Sequence, residues 1–343
     1  MSSAGQQVTA FEAAVADIAG TRHAVATVNG TAALHLALLA AGVGPGDSVL
    51  VPDWTFAATA KAVLHAGAIP VFLDNTEESW SLDPALVAEA VETYQPRAVI
   101  AVHDLGHAAD MDAIRAAAGA VPVIEDAAGA IGEQYKCRPV GSLGDAAIFS
   151  FNGNKTVTAG GGGTIVTDRE EWADRARSLS TQARAGAGYR YAEAGFNYRM
   201  PNVNAALGLA QFERLDAMLA AKRAIAERYD TAFAARDDVS PMPRCDWGQS
   251  ACWLYSLRCA DHDTASDLIA YLNSAGIEAR TFWETLSDQA PYAEFPSMRT
   301  GVAAALSDTV VSLPCSSHLS EADQGRVIAA LADWRGAAVR DAA

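Results

Sequence analysis

Short apolar runs alternate with segments of helical periodicity along the first part of the chain. The apolar runs predict strands at residues 49–51, 70–73, 98–102, 121–125, 146–151 and 163–167. Helical patterns lie between and after them, at residues 8–19, 31–41, 55–66, 84–92, 110–118, 170–180 and, as one long helix, 202–235. Strands that alternate with helices are typical of a mainly parallel sheet with helices on both faces. Ligands of such sheets bind at the carboxyl ends of the strands.

The pattern changes near residues 237–248, where Pro241, Pro243 and Gly248 interrupt it. Beyond this point the sequence predicts two strands, 252–259 and 277–281, and two helices, 263–275 and 320–334. A chain of 343 residues is long for one ordinary domain. We therefore predict a large domain over residues 1–235 and a smaller C-terminal α/β domain over residues 236–343.

Composition restricts the class of partner. Half of the residues are hydrophobic and 19% are charged, as in a globular chain. The formal net charge of -16 argues against a nucleic-acid partner, because phosphate backbones bind basic surfaces, but a local positive site can still bind an anionic substrate. No apolar run is long enough to span a bilayer, and we find no secretory signal. Scattered cysteines without CxxC spacing indicate free thiols, so we expect a cytoplasmic protein without a metal site or a membrane partner.

One lysine has unusual neighbours. Lys155 lies between the apolar run 146–151 and four consecutive glycines, 160–163. Such a glycine run indicates close backbone approach or unusual dihedral angles. A lysine in a partly dry pocket has a lowered pKa and becomes a nucleophilic amine, as Schiff-base chemistry requires. The alternative is a surface lysine in a flexible turn.

Two further features lie where a ligand would be held. A loop enters a helix at Asn29-Gly30-Thr31-Ala32-Ala33, and the free amides and helix dipole there form an anion site. The alternative is a plain N-cap without a ligand. A buried strand ends in Glu125 and Asp126, and one carboxylate at such an end can pair with a buried cation. The alternative is a structural ion pair or a pair of solvated acids.

An anion site, a strand-end acid and a lysine are together the three anchors of pyridoxal phosphate (PLP). They hold its phosphate, its ring nitrogen and its aldehyde, respectively. Phe56 can stack on the cofactor ring, although a core aromatic at a helix start explains it equally well. The combination predicts a PLP enzyme.

These motifs resemble those of the DegT/StrS family of sugar aminotransferases, almost from end to end. The resemblance is carried by residues 23–38, 46–52, 124–128, the stretch around Lys155, residues 195–200 and Leu313-Pro314. It implies an α/β chain of the aspartate-aminotransferase-like PLP fold type I. In that fold a large domain has a mainly parallel sheet covered by helices, and a smaller α/β domain follows. Some relatives have histidine in place of the lysine and act as sugar dehydratases, so Lys155 favours amination.

The resemblance also implies roles for individual residues. Lys155 would form the Schiff base with the cofactor and shuttle the proton, and Asp126 would pair with the ring nitrogen. Other residues would bind the cofactor: Gly30, Thr31, Ala32 and Ser150 at the phosphate, Phe56 on the ring, and Asn197 at the phosphate of the neighbouring subunit's cofactor. The last contact implies a homodimer with shared active sites.

Within the family, the stretch around Lys155 and residues 179–183 and 199–202 look most like the legionaminic acid and bacillosamine branch. That branch implies transfer of an amino group, usually from glutamate, to C4 of a UDP-linked 4-keto-6-deoxy-N-acetylhexosamine. Such a reaction belongs to amino-sugar biosynthesis for lipopolysaccharide or other cell-surface glycans. The alternatives are the same chemistry on a keto-cyclitol or a GDP-keto-hexose. A PLP-binding regulatory protein without turnover is the alternative of another class.

The chain also departs from its relatives. We expect the segment that usually precedes the motif Ser2-Ser3-Ala4-Gly5 to be absent. Gly129 stands where relatives often have Gln, His or Glu, and Asp104 occupies a normally apolar position. These departures concern the substrate rather than the cofactor. The diphosphate or the glutamate carboxylate has four candidate partners, because guanidinium forks suit both groups: Arg184, Arg190, Arg199 and Arg280.

Overall fold

The computed structural model describes residues 5–186 and 188–334, so the motif residues Ser2 to Ala4 and both outer ends of the predicted domains lie outside it. The strands are β1 (His23–Thr27), β2 (Ser48–Pro52), β3 (Ile69–Leu73), β4 (Ala98–Val102), β5 (Val123–Asp126), β6 (Gln134–Tyr135), β7 (Arg138–Pro139), β8 (Ala146–Ser150), β9 (Gly163–Thr167), β10 (Val239–Pro241), β11 (Gly248–Gln249), β12 (Tyr255–Cys259), β13 (Arg280–Thr281), β14 (Ser297–Met298) and β15 (Val310–Leu313). The α-helices are α1 (Gln6–Ala19), α2 (Gly30–Ala40), α3 (Ala58–His65), α4 (Pro84–Tyr94), α5 (Met111–Ala118), α6 (Glu170–Ser180), α7 (Asn202–Phe212), α8 (Leu215–Phe233), α9 (His262–Ser274), α10 (Val302–Thr309) and α11 (Glu321–Asp333). Two short 3-10 helices cover Asp104–Gly106 and Leu286–Asp288.

An eight-stranded mixed sheet organises the N-terminal part of the chain. Its strand order is β1-β9-β8-β5-β4-β2-β3-β14. The neighbours from β8 to β14 run parallel, whereas β9 runs antiparallel to both β8 and β1. The expected α/β fold with a mainly parallel sheet is confirmed. The carboxyl ends of β4, β5 and β8 consequently meet along one edge of the sheet.

Helices cover both faces of this sheet, and β4 makes the two-sided burial visible. Val99 and Ala101 join a core cluster with α1, α4 and α5, while Ala98, Ile100 and Val102 join a second cluster with α2, α3 and α6. Successive side chains of a strand point to opposite faces, so a strand buried on both sides reads as a continuous apolar run. This is why the central strands could be recognised in the sequence.

A second sheet lies in the C-terminal part, with the antiparallel order β10-β12-β15-β13. It packs with α9 and α11 into a separate core cluster. That cluster also contains Ile225, Tyr229 and Phe233 of α8, so the second half of this helix belongs to the C-terminal core. The domain boundary between residues 235 and 236 stays a prediction.

The single long helix predicted over residues 202–235 is wrong. The segment forms two helices, α7 and α8, and the amide of Arg214 turns back to the carbonyl of Gln211 at 3.0 Å. The two helices reach different places: α7 packs closely on α1, where Gly208 faces the ring of Phe11. The first turns of α8, with Leu215 and Leu219, pack on the N-terminal core, and its second half reaches the C-terminal cluster. Helical periodicity continues through the junction, which is why the sequence does not reveal the break.

Candidate active site

A cavity of about 550 Å³ opens at the carboxyl ends of β4, β5 and β8. This is where a parallel sheet is expected to bind a ligand. Its lining brings together predicted site residues from four separate parts of the chain: Gly30, Thr31, Phe56, Asp126, Ser150 and Lys155. Ala32 and Asn197 are predicted site residues that do not line it.

The two acids at the end of β5 have opposite surroundings. Neighbouring side chains of a strand point to opposite faces, so only Asp126 reaches the cavity. Its Oδ2 accepts a hydrogen bond from the Thr59 hydroxyl at 3.0 Å, and its Oδ1 accepts one from the amide of Ala128 at 3.2 Å. Burial raises the pKa of the Asp126 carboxyl, and these two donors oppose the rise. Among the described residues the carboxyl therefore has two hydrogen bonds and no ion pair, although the nearby Lys155 also opposes the rise of its pKa.

Glu125 has a structural role instead. Its carboxylate accepts hydrogen bonds from the amides of Gly141, Leu143 and Gly144, at 2.7 to 3.0 Å, and contacts His103 Nε2 at 2.9 Å. The amide of Ala109 donates to His103 Nδ1 at 3.2 Å, so Nδ1 carries no proton and Nε2 is the donor to Glu125. The carboxylate thus ties the strand end to two loops. Of the two readings open for these acids, the structural one applies to Glu125.

Lys155 reaches the same cavity from the loop after β8. The side chain is half-buried, and its Nζ lies 3.4 Å from the centroid of the Trp253 ring. Burial lowers the pKa of Lys155 to about 8, and the Asp126 carboxylate opposes this fall. An amine with this pKa is unprotonated in about a tenth of molecules at pH 7, far more than an ordinary lysine, which makes it a competent nucleophile.

The start of α2 also lines the cavity. Asn29 is the N-cap, and its Oδ1 accepts the amide of Ala32 at 2.7 Å. The Ala32 amide is therefore already bonded, whereas amides at the first two helical positions, Gly30 and Thr31, have no acceptor within the helix. A Cβ at Gly30 would lie 3.0 Å from the Ser150 Cβ, so glycine permits the close approach of this helix to β8.

Phe56 and Asn197 are both exposed, but in different places. The Phe56 side chain is 61% exposed and lines the cavity, so the core alternative does not apply to it. Asn197 lies outside the cavity of its own chain, where it forms an isolated β-bridge with Thr181. Its predicted contact with the neighbouring subunit's cofactor stays a prediction.

Several residues of the site were missed by the sequence analysis. Thr59 and Trp253 are the clearest cases, since they contact Asp126 and Lys155 directly. Asp104 is a further case: the side chain is buried beside Thr55, and neither carboxyl oxygen has a hydrogen-bond partner. Burial, and after it the Asp126 carboxylate, raise the pKa of Asp104 well above its ordinary range. The unusual residue at position 104 was the only sequence signal for it.

Comparison with known proteins identifies the family. The model of the DegT/DnrJ/EryC1/StrS aminotransferase family matches residues 1–332. The chain belongs to this family. It is 41% identical over 337 residues to the GDP-perosamine synthase of Caulobacter vibrioides, covering 96% of this chain and 91% of that protein. It is 40% identical over 339 residues to EpsN of Bacillus subtilis, a putative pyridoxal phosphate-dependent aminotransferase, with 95% and 87% covered.

Comparison with solved structures supports the same family and fold. The crystal structure of S. venezuelae DesV superposes with a TM-score of 0.91 at 33% identity, covering 96% of this chain and 89% of DesV. The expected fold, the enzyme class of PLP-dependent sugar aminotransferases, and the cofactor are thereby confirmed. In the part of the chain that the structure describes, no helix is long and apolar enough to cross a membrane. The same residues contain no group of three His, Cys, Asp or Glu side chains that could hold a metal ion.

Proposed function

We propose that Asp126 faces the ring nitrogen of PLP and that Lys155 binds its aldehyde carbon. The Asp126 carboxyl supports this assignment, because it is buried and its pKa is raised although Lys155 opposes the rise, so a cation in direct contact would stabilise its charge. A protonated ring nitrogen would supply that cation and would restore the ionised carboxylate. The Thr59 hydroxyl keeps the carboxylate aimed in this direction.

We further propose that Gly30, Thr31 and Ser150 hold the phosphate. Two free amides at the start of α2 and two hydroxyl groups fit an anion with several oxygen acceptors. Ala32 would contribute only by sharing an amide that Asn29 already accepts. Phe56 offers an exposed ring that would stack on the cofactor ring. Asn197 would contact the phosphate of the neighbouring subunit's cofactor in a homodimer.

When bound, PLP supplies an aldehyde that exchanges amino groups and a ring that withdraws electrons. The chain's own contribution is proton transfer and orientation. Lys155, freed from the cofactor by the amino donor, takes the α-proton of the donor as a general base and later returns a proton to the acceptor carbon. Its lowered pKa of about 8 suits both tasks near neutral pH. Two half-reactions at one site lead to ping-pong kinetics.

The substrates we propose are glutamate and a keto sugar linked to a nucleoside diphosphate. Of the four candidate arginines, Arg280 lines the cavity and is exposed, so its guanidinium is available to a carboxylate or a diphosphate. The 41% identity to a GDP-perosamine synthase favours a GDP-linked keto hexose. The UDP-linked 4-keto-6-deoxy-N-acetylhexosamine is the second candidate, because the stretch around Lys155 resembles that branch. We also propose a cytoplasmic location, which the five free cysteines support.

The observation that carries the proposal is the meeting of Lys155, Asp126 and the start of α2 in one cavity. The test is a panel of GDP- and UDP-linked 4-keto-6-deoxy sugars incubated with PLP-loaded enzyme and glutamate. We expect a new amino sugar and an equal amount of 2-oxoglutarate for one nucleotide class. Lys155→Ala should abolish both, whereas the matched variant Lys61→Ala, at an exposed lysine, should retain them.

Two outcomes would contradict the proposal. If the enzyme binds PLP but glutamate and other amino acids leave its absorbance unchanged, the chain is a PLP-binding regulatory protein rather than an aminotransferase. If Lys155→Ala retains covalently bound cofactor, another lysine holds it.

A further inference from the structure

Trp253 stands beside the reactive lysine and has no role in the function proposed above. Its ring centroid lies 3.4 Å from Lys155 Nζ. The other seven contacts between a cation and an aromatic ring among the described residues have distances of 4.6 to 5.9 Å. The contact to Lys155 is thus the closest of its kind in the described chain, and it involves the amine that must react.

The ring is fixed in this position from several sides. The indole Nε1 donates a hydrogen bond to the carbonyl of Asn154 at 2.9 Å, which ties the ring to the residue before the lysine. The Trp253 carbonyl accepts a hydrogen bond from the buried Lys222 Nζ at 2.9 Å. Only 7% of Trp253 is exposed. A ring held in this way is preorganised, so it can hold a flexible lysine without rearranging.

Gly129 provides the space for the ring. A Cβ at position 129 would lie 2.4 Å from Trp253 Cε3 and 2.9 Å from Cδ2, which no real side chain tolerates. This gives a physical reason for the unusual glycine noted in the sequence. Position 129 thus has no side chain, and the indole ring of Trp253 occupies this space beside Lys155.

Trp253 and Lys155 also separate two cavities. One is the cavity with Asp126, and the other, of about 530 Å³, is lined by Lys222, Glu278 and His318 among others. Both Lys155 and Trp253 line both cavities. The amine therefore rests on the wall between the two spaces, within reach of the cofactor side.

We propose that Trp253 is a positioning residue whose indole face holds the Lys155 amine whenever that amine is not bound to the cofactor. This inference rests on the proposed role of Lys155. An ammonium over an indole face is attracted by the ring quadrupole, most strongly where water is excluded. The ring keeps the freed amine beside the reacting atoms, so that it returns a proton, or recaptures the cofactor, without searching through solvent.

The attraction favours the charged amine, so it opposes the effect of burial on the pKa of Lys155. Replacing Trp253 by Leu removes the π face but keeps an apolar wall, and the pKa should fall by about one unit, a tenfold change in the protonation equilibrium. In Trp253→Phe, which keeps an aromatic ring, the pKa of Lys155 should fall by less. A purely structural tryptophan predicts the opposite sign, since a loosened wall admits water and raises the pKa towards its ordinary 10.5.

The pKa can be read in the full-length chain without any substrate. The sequence has four lysines, so Cε-labelled lysine gives four NMR signals, and Lys155→Arg identifies the signal of interest. Trp247→Leu is the matched control, because it removes a half-buried indole that lines neither cavity. We expect it to leave the pKa of Lys155 unchanged.

Fluorinated tryptophan keeps the test decisive if Trp253→Leu does not fold. Fluorine weakens the ring quadrupole with little change of shape, so the pKa of Lys155 should fall stepwise with each added fluorine. A pKa that stays constant, or rises, with fluorination or in Trp253→Leu would overturn the inference. In the PLP-loaded enzyme, Trp253→Leu should lower kcat about tenfold and leave KM for the donor within about twofold. A change confined to KM would instead make Trp253 a substrate-binding residue.

If no sugar nucleotide is aminated, the proposed function fails while the NMR result still decides on Trp253. The two failures are therefore distinguishable.

Discussion

The buried carboxyl of Asp104 should make the chain less stable as the pH rises. Burial, and after it the Asp126 carboxylate, raise its pKa well above the ordinary value of 3.8, and the nearby Thr55 hydroxyl opposes this rise only in part. Between these two pKa values the folded chain keeps a proton that the unfolded chain releases. Each pH unit in this window then lowers the free energy of unfolding by up to about 1.4 kcal/mol.

Asp104→Asn isolates this effect, because the amide has nearly the same shape and does not titrate. The variant and the wild type should differ little near pH 4. Above pH 4 the free energy of unfolding of the variant, relative to that of the wild type, should increase by up to about 1.4 kcal/mol per pH unit until the pH reaches the pKa of the folded carboxyl. Urea denaturation of the cofactor-free chain at half-unit steps from pH 4 to 8 measures the difference directly.

The control is Asp237→Asn at an exposed aspartate, which should give the same difference from wild type at every pH. If the difference between Asp104→Asn and wild type were equally constant from pH 4 to 8, the carboxyl would be ionised in the folded chain. Our description of a neutral buried acid beside Asp126 would then be wrong.

Three further predictions concern the site. Lys155 should capture PLP about 50-fold faster at pH 8 than at pH 6 in stopped-flow absorbance, because its unprotonated fraction rises with pH up to the pKa of about 8; a rate independent of pH would refute the lowered pKa. Thr59→Val removes the hydroxyl donor to Asp126 and should weaken PLP binding about tenfold in a titration, whereas Thr231→Val, at an exposed threonine, should not. Glu125→Gln should lower the free energy of unfolding by about 3 kcal/mol in urea, because three backbone amides and a histidine lose a buried carboxylate. An unchanged midpoint of urea denaturation would mean that contacts other than those of Glu125 stabilise these loops.

Most strands of the large sheet could be predicted from the sequence, because both of their faces are buried. The strands at 98–102 and 163–167 were predicted with the bounds that the structure gives them. The edge strand β1 was missed, although it pairs with β9 along its whole length. The helix α10 and the strand β15 were missed as well. Their short patterns are ordinary in isolation and acquire a role only through contacts with distant parts of the chain.

The residues of the site also divide into those with a local signal in the sequence and those without one. Lys155, Asp126 and Gly30 carry local signals, namely a glycine run, a strand end and a helix start, and the structure brings all three to one cavity. Trp253 lies 98 residues after Lys155 and Thr59 lies 67 residues before Asp126, counted along the sequence. No local pattern marks such partners. The structure was needed to reveal that Gly129 is small because an indole ring occupies the space.

The two acids at the end of β5 make this strand intolerant of insertion or deletion. Adding or removing one residue would shift the pairing register with β4 and β8 and turn every side chain to the opposite face. An added residue would bring Glu125 to the place of Asp126 at the cavity, whereas a removed residue would bring Asp126 to the place of Glu125, where its side chain is one methylene too short for the loop amides. We therefore expect the length of this segment to be a stricter requirement than any one of its apolar residues.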